Sequence, residues 1–296
     1  MKILVTGSSG FIGKALCYEL LNRNYEVVCL DIKRYINPSY QPFFQQYLSD
    51  ITTIKSESPA FKGVDHVIHS AAMADLNEAR KSREKCFRIN VYGTFRIAEI
   101  CRELNIPLNY ISTCCVYGNT SEHPTTETAP TNPAEIYGAT KLAGESFVKL
   151  IPKWNILRYS TVVGPGMRPA LSTYIFLAQA IRGQPFTIDG TGQQTRTWIY
   201  IDDLVDATIK TLNMRNETVN IAGAETHSVL EMAKLCAEVT HQECDVIHRP
   251  DRPGQVFHEE IRIDKAKQLL NWVPKVGLKM ALRRSVDYVR GVINED

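Results

Sequence analysis

The chain has 296 residues, 44% of them hydrophobic, with 34 Lys and Arg set against 32 Asp and Glu. Such a length asks for a large core with a smaller lobe, and a net charge of +2 removes any global attraction for nucleic acid or an anionic membrane. No apolar run approaches the roughly 18 residues that cross a bilayer, and the opening MKILVTGSSG has no signal-peptide cleavage pattern, so a soluble cytoplasmic protein is expected.

Lys2 to Thr6 is a short apolar run ending on Gly7, and Phe11 to Asn22 places Ile12, Ala15, Leu16 and Leu20 at helical spacing. That predicts strand, turn and helix. A second strand over Glu26 to Leu30 closes on Asp31, and further runs follow at Asp65 to Ala72, Leu108 to Ser112 and Asn155 to Val163. Between them, Phe87, Val91, Phe95, Ala98, Cys101 and Leu104 give one helix a continuous apolar face. The alternation predicts an α/β fold, a Rossmann-like doubly wound parallel sheet with ligands at the carboxyl ends of its strands, over residues 1–164.

Beyond residue 164 the texture changes to loops rich in Gly and Pro, with a helix at Ser228 to Thr240 that opens on a Ser228/Glu231 capping box. A smaller, mainly substrate-binding α/β lobe is expected over 165–296. Residues 195–215, which include the strand-like WIYIDD, are candidates to return to the main sheet.

Gly7, Gly10 and Gly13 in TGSSGFIG stand between a predicted strand and a predicted helix, with Asp31 ending the next strand. Glycines let backbone approach a pyrophosphate, the helix start offers free N–H groups, and an acid after the second strand accepts from ribose hydroxyls. Asp31 therefore points to NAD, while Lys33 and Arg34 leave NADP open. Ser9, Phe11, Ile12 and Ile32 belong to the same candidate cofactor surface.

Tyr137 and Lys141 form an i, i+4 pair in YGATK, which a helix places on one face. A cation beside a phenol favours the phenolate, and such a Tyr can take a proton from a sugar hydroxyl while the neighbouring carbon gives hydride to nicotinamide. Thr113, at a strand end, could hydrogen-bond the same oxygen or serve only as a turn hydroxyl. The eight cysteines show no C-x-x-C pair, and no His cluster has zinc-ligand spacing, so reduced thiols and no metal are expected.

With these residues the chain resembles the extended short-chain dehydrogenase/reductase family of NAD-dependent nucleotide-sugar epimerases and dehydratases, such as UDP-glucose 4-epimerases. The resemblance rests on TGSSGFIG, Asp31, Asp50-Ile51, HSAA at 69–72, NVYGT at 90–94, STCCVYG at 112–118, YGATK, LRYSTVVGPG, QTRTWIYIDD and DRPGQ. It implies that Asp50 and Ile51 flank the adenine, that Ser70, Ala71 and Ala72 line the pyrophosphate and ribose, and that Asn90 and Tyr159 support the cofactor. It further implies that Tyr137, Lys141 and Thr113 form the oxidising centre and that Arg196 and Arg252 clamp the nucleotide diphosphate. Two forked guanidiniums would hold that anion without a basic surface; ordinary surface ion pairs are the alternative reading of each. The helices at 90–102 and 137–150 resemble a four-helix dimer contact, so a homodimer is expected.

Two departures stand out. Thr161 lies where many members carry Asn, which weakens a substrate contact. Cys115 lies beside Thr113; continued strand alternation would turn Cys115 into the site and Cys114 behind it. A thiol there could move a proton acidified by a C4 ketone, or simply fill space. The expected activity is therefore 4-epimerisation of a UDP-hexose through a 4-keto intermediate. The alternatives are a dehydratase of the 4,6- or 5,6-type or a 3,5-epimerase using Cys115, and, more remotely, a non-catalytic NAD sensor.

Overall fold

The computed structural model describes residues 1–34, 44–252 and 254–295. It divides into two compact units. The first comprises residues 1–116, 135–158 and 205–219, and the second residues 117–134, 159–204 and 220–296.

A seven-stranded sheet organises the first unit. In chain order its strands are β1 (Lys2–Thr6), β2 (Glu26–Asp31), β3 (Phe44–Leu48), β4 (His66–His69), β5 (Leu108–Thr113), β6 (Trp154–Tyr159) and, after three strands that lie elsewhere, β10 (Glu217–Ile221). The order across the sheet is β10-β6-β5-β4-β1-β2-β3, and the ladders β1–β2, β1–β4, β2–β3 and β4–β5 are parallel. Parallel strands need crossovers on the faces, so central strands are buried on both sides and carry near-continuous apolar runs. Leu4, Val28, Val67, Leu108 and Ile156 accordingly share one core with Ile97 and Ile100 of helix α4 (Thr94–Glu103) and Val148 of helix α5 (Ile136–Val148).

Helix α1 (Phe11–Asn22) follows β1 within the residues expected from periodicity. After β4 come two short helices, α2 (Leu76–Lys81) and α3 (Arg83–Phe87), then α4 (Thr94–Glu103) and, after β5, α5 (Ile136–Val148). The helix expected across 87–104 is not continuous: a π-helical turn over Arg88–Gly93 separates α3 from α4. Such turns reposition one side chain. Here it is Asn90, fully buried, which reaches back to accept the Met73 N–H (2.8 Å) and to donate to the Met73 carbonyl (3.1 Å).

The second unit contains two small sheets. β7 (Thr161–Val163) pairs parallel with β9 (Thr195–Tyr200), which pairs antiparallel with β11 (Thr226–Ser228); β8 (Phe186–Asp189) pairs with β12 (Val246–Arg249). Its helices are α6 (Ser172–Ile181), the first residues of α7 (Ile201–Lys210), α8 (Val229–Thr240), α9 (Asp264–Leu270) and α10 (Leu278–Glu295). The capping box is present: Ser228 Oγ accepts the Glu231 N–H (3.1 Å), and Glu231 returns the contact to the Ser228 N–H (2.7 Å).

The run read as one strand, Asn155 to Val163, divides at Ser160. β6 stays in the large sheet, whereas Thr161–Val163 pairs with Trp198–Tyr200. The WIYIDD strand thus lies in the small sheet, and of residues 195–215 those from 205 onward group with the first unit. The sequence boundary at 164 also leaves out residues 117–134, which group with the second unit.

Candidate active site

The order of the large sheet reverses beside β1, so that the carboxyl ends of β1 and β4 open a crevice there. The glycine loop occupies the end of β1. Gly7 has φ +69°, and a Cβ there would lie 2.7 Å from the Ala71 N; at Gly13 a Cβ would lie 2.0 Å from the Gly7 O. Only glycines let the start of α1 sit this close to the loop. The helix opens on Gly10 with no side-chain cap and no acid in its first turn, leaving its N-terminal N–H groups to an anion. Ser8, fully buried on this loop, has an unpaired Oγ. These features fit a dinucleotide pyrophosphate.

Asp31, at the end of β2, is held by backbone: Oδ2 accepts the Ser9 N–H (2.9 Å) and Oδ1 the Lys33 N–H (3.0 Å). A carboxylate fixed beside the loop suits ribose hydroxyls and opposes a 2′-phosphate, while Ile32, Lys33 and Arg34 are exposed. Asp50 Oδ1 accepts the Thr52 N–H (2.8 Å), and Ile51 is buried, its side chain occupying the space that Gly93 leaves. The Ala71 N–H donates to Thr6 Oγ1 (3.2 Å), which lies 2.6 Å from His69 Nδ1. Ser70, Ala71 and Ala72 are half-buried at the β4 end, with the Ser70 N–H on the Thr6 carbonyl (3.2 Å).

Replacing Gly13 by Ala should separate α1 from the loop, because the obstructing atoms are backbone. Titration calorimetry is expected to show NAD binding at least about tenfold weaker, equivalent to the ~1–3 kcal/mol of an overpacked site. Unchanged affinity would show that this loop is not the cradle.

Helix α5 carries Tyr137 in its first turn and Lys141 one turn later, on the same face. Tyr137 is half-buried; Lys141 is 2% exposed, with Nζ 4.1 Å from the centroid of the Tyr110 ring. Burial pushes the ammonium down to about 7, opposed chiefly by the Glu145 carboxylate. His69, the last residue of β4, stacks on Tyr110 at 5.7 Å, and burial pushes its imidazole down to about 3. It is neutral, so Lys141 has no second cation on that side.

Thr113 ends β5, and its Oγ1 accepts the Cys115 N–H (3.2 Å). That contact turns the chain into a short 3-10 turn over Cys114–Val116, so the strand does not continue as the alternation argument requires. Cys114 is buried with Sγ on the Arg158 carbonyl (3.5 Å), and Cys115 is half-buried. The turn, rather than pleating, separates the two thiols.

In the second unit Tyr159 is buried and Thr161 half-buried at the start of β7. Arg196 on β9 donates to the Thr195 carbonyl (2.6 Å) and lies near Glu259, whose carboxyl burial pushes up. Arg252 Nε lies 3.5 Å from Asp189, which also pairs with Arg249 (3.2 Å). Sequence reasoning passed over Gln255, the last residue of DRPGQ. Its amide is 5% exposed with neither its nitrogen nor its oxygen paired. Buried polar groups are nearly always satisfied, so this amide is a candidate ligand contact. It also passed over Tyr110, Glu145 and Arg158, whose contacts join separate elements.

Residues 3–222 match the family described as the NAD dependent epimerase/dehydratase family. The chain is similar to the uncharacterized UDP-glucose epimerase YtcB of Bacillus subtilis, at 32% identity over 98% of each chain. It is also similar to UDP-glucuronic acid decarboxylase 1 of Arabidopsis thaliana, at 28% over all of this chain and 72% of that one. Among solved structures, UDP-glucuronic acid 4-epimerase from Bacillus cereus in complex with UDP-glucuronic acid and NAD matches with a TM-score of 0.90. Its identity is 32%, and the match covers 99% of this chain and 100% of that one. The chain belongs to the NAD dependent epimerase/dehydratase family.

Proposed function

We propose that this member of the NAD dependent epimerase/dehydratase family is a UDP-sugar 4-epimerase, acting on a UDP-hexose or the corresponding uronate through a 4-keto intermediate. The observation that carries the proposal is the stacking of Tyr137 and Lys141 on one face of α5, in the same unit as the glycine loop and Thr113. The epimerase names among its relatives support the choice of reaction.

NAD, held by the glycine loop, Asp31 and the β4 end, supplies a reversible hydride acceptor for C4. Tyr137, as phenolate, takes the proton of the C4 hydroxyl, and Lys141 stabilises the phenolate charge and can hold the nicotinamide ribose. Thr113 already accepts the Cys115 N–H, so its own proton is left for the substrate oxygen. Once the sugar has turned, the hydride would return to the opposite face of C4, and Tyr137 gives its proton back to the C4 oxygen. Arg196 and Arg252 are our candidates for the diphosphate, with Thr161 and Gln255 as further nucleotide-sugar contacts.

Cys115 supports a second reading, in which a thiol moves a proton at C3 or C5 and the outcome is 3,5-epimerisation or loss of water. Incubation with UDP-glucose, UDP-glucuronate and dTDP- and GDP-sugars in deuterated water, read by mass and proton spectra, separates these. A C4 epimer without deuterium is expected, at a rate that Cys115→Ala changes less than about threefold if the thiol is packing. Deuterium in the product, loss of water, or loss of carbon dioxide from the uronate would move the assignment to the other branches. Absence of any change across the panel would end the enzymatic reading.

The homodimer belongs to the same proposal. Phe87, Tyr92 and Leu150 are exposed on or just after α3, the π-helical turn and α5, and Tyr92, Phe95 and Phe147 form an aromatic cluster there with centroids 6.3 and 5.3 Å apart. Light scattering should give twice the chain mass at micromolar concentration; a monomer would remove it. The eight cysteines are all free thiols, which suits the reducing cytoplasm. Among the described residues no helix is long and apolar enough to cross a membrane.

A further inference from the structure

Lys141, Glu145 and Tyr137 stand four residues apart along one stripe of α5, and β5 presents Tyr110 and Ser112 to that stripe. The approach depends on Gly144, where a Cβ would lie 2.3 Å from Tyr110 Oη. The Tyr110 hydroxyl donates to the Lys141 carbonyl (3.3 Å), and its ring lies under the ammonium. Glu145 is held by three hydrogen bonds from two residues. Ser112 Oγ donates at 2.6 Å, and Arg158 grips both carboxylate oxygens, Nε at 3.0 Å and Nη2 at 2.7 Å. The Arg158 and Glu145 side chains are only 5% and 1% exposed.

A buried ion pair is a poor device for stability alone, since apolar residues of the same volume often serve as well. This one lies one helical turn below a buried lysine. We propose that Tyr110 and the Glu145–Arg158 pair are positioning residues that favour the ammonium form of Lys141 and hold it in one rotamer. The ring face offers the ammonium a cation–π seat, and Glu145 supplies the negative charge on its own helix. The other titratable groups that interact with Lys141 are His69 of β4 and Cys86 of α3, and Tyr137 stands one turn away on α5. His69 is neutral, and Arg158 is spent on Glu145. The proposal rests on the catalytic reading of Tyr137 and Lys141 given above.

The test compares wild type, Tyr110→Leu, Tyr110→Phe and the double variant Glu145→Leu with Arg158→Met, which leaves no lone charge in the core. For each background, thermal stability of the cofactor-free protein is followed from pH 6 to 10 with and without Lys141→Met. The onset of the lysine-dependent rise in stability should move at least about one pH unit lower in Tyr110→Leu and in the double variant, and stay near wild type in Tyr110→Phe. The alkaline limb of kcat/KM should move the same way. An onset unchanged in Tyr110→Leu and in the double variant would overturn the proposal, and Tyr110→Leu alone decides it if the double variant does not fold. Full activity of Lys141→Met would instead overturn the catalytic reading, whatever the stability curves show.

Discussion

Tyr137→Phe is expected to lower turnover by about 10²- to 10⁴-fold, the usual range for losing a positioned acid–base, or ~3–5 kcal/mol of barrier. The change removes one oxygen from a half-buried side chain, and the Tyr137 carbonyl still accepts the Thr140 hydroxyl (2.8 Å), so α5 keeps its first turn. NAD affinity and the melting temperature should therefore stay close to wild type. The proton is transferred only on the way to the transition state, so kcat should fall far more than KM changes. Turnover within tenfold of wild type would exclude Tyr137 as the group that moves the C4 hydroxyl proton. Thr113→Ala should cost less, because it removes one hydrogen bond and no proton acceptor.

The second large effect concerns stability against pH. Lys141 is pushed down to about 7 in the folded chain from an ordinary 10.5. Below pH 7 both folded and unfolded chains carry the proton, and the full cost of burying the charge is felt. Between 7 and 10.5 the unfolded chain binds the proton and the folded one releases it, so stability rises with pH. Relative to Lys141→Met, the wild type should gain up to about 5 kcal/mol across that window. Denaturant unfolding of both proteins at pH 6, 8 and 10 measures it, and a constant difference would show that the lysine is not buried as a cation. On the proposed mechanism, near-neutral titration of Lys141 removes the charge beside the Tyr137 phenolate as pH climbs, so an alkaline limit in kcat/KM is the expected result.

Local elements were legible where one period dominates. β1 and α1 lie on the expected residues because Lys2–Thr6 is apolar throughout and Phe11–Asn22 repeats every three to four residues. The Ser228 capping box was equally plain, since its two contacts span three residues. β3 was not legible. FQQYL lacks an apolar face in sequence and becomes a strand by pairing with Val27–Asp31 at the sheet edge. Nor was the division at Ser160: Asn155 to Val163 reads as one apolar run, and only the position of Trp198–Tyr200 shows that its last residues pair in another sheet.

The sequence by itself determined the chemistry on offer: a glycine loop between a strand and a helix, an acid at the end of the next strand, and a Tyr–Lys pair at helical spacing. Those features are local, their partners lie within a few residues, and spacing alone reports them. The tertiary structure decided the charge state of that chemistry. His69, Tyr110, Lys141, Glu145 and Arg158 come from four elements, and the Glu145–Arg158 contact crosses 13 residues of chain. Electrostatics depends on distance and burial in space, which no spacing along the chain records. The same holds for Cys114 and Cys115, adjacent in sequence and separated only by the turn that Thr113 makes.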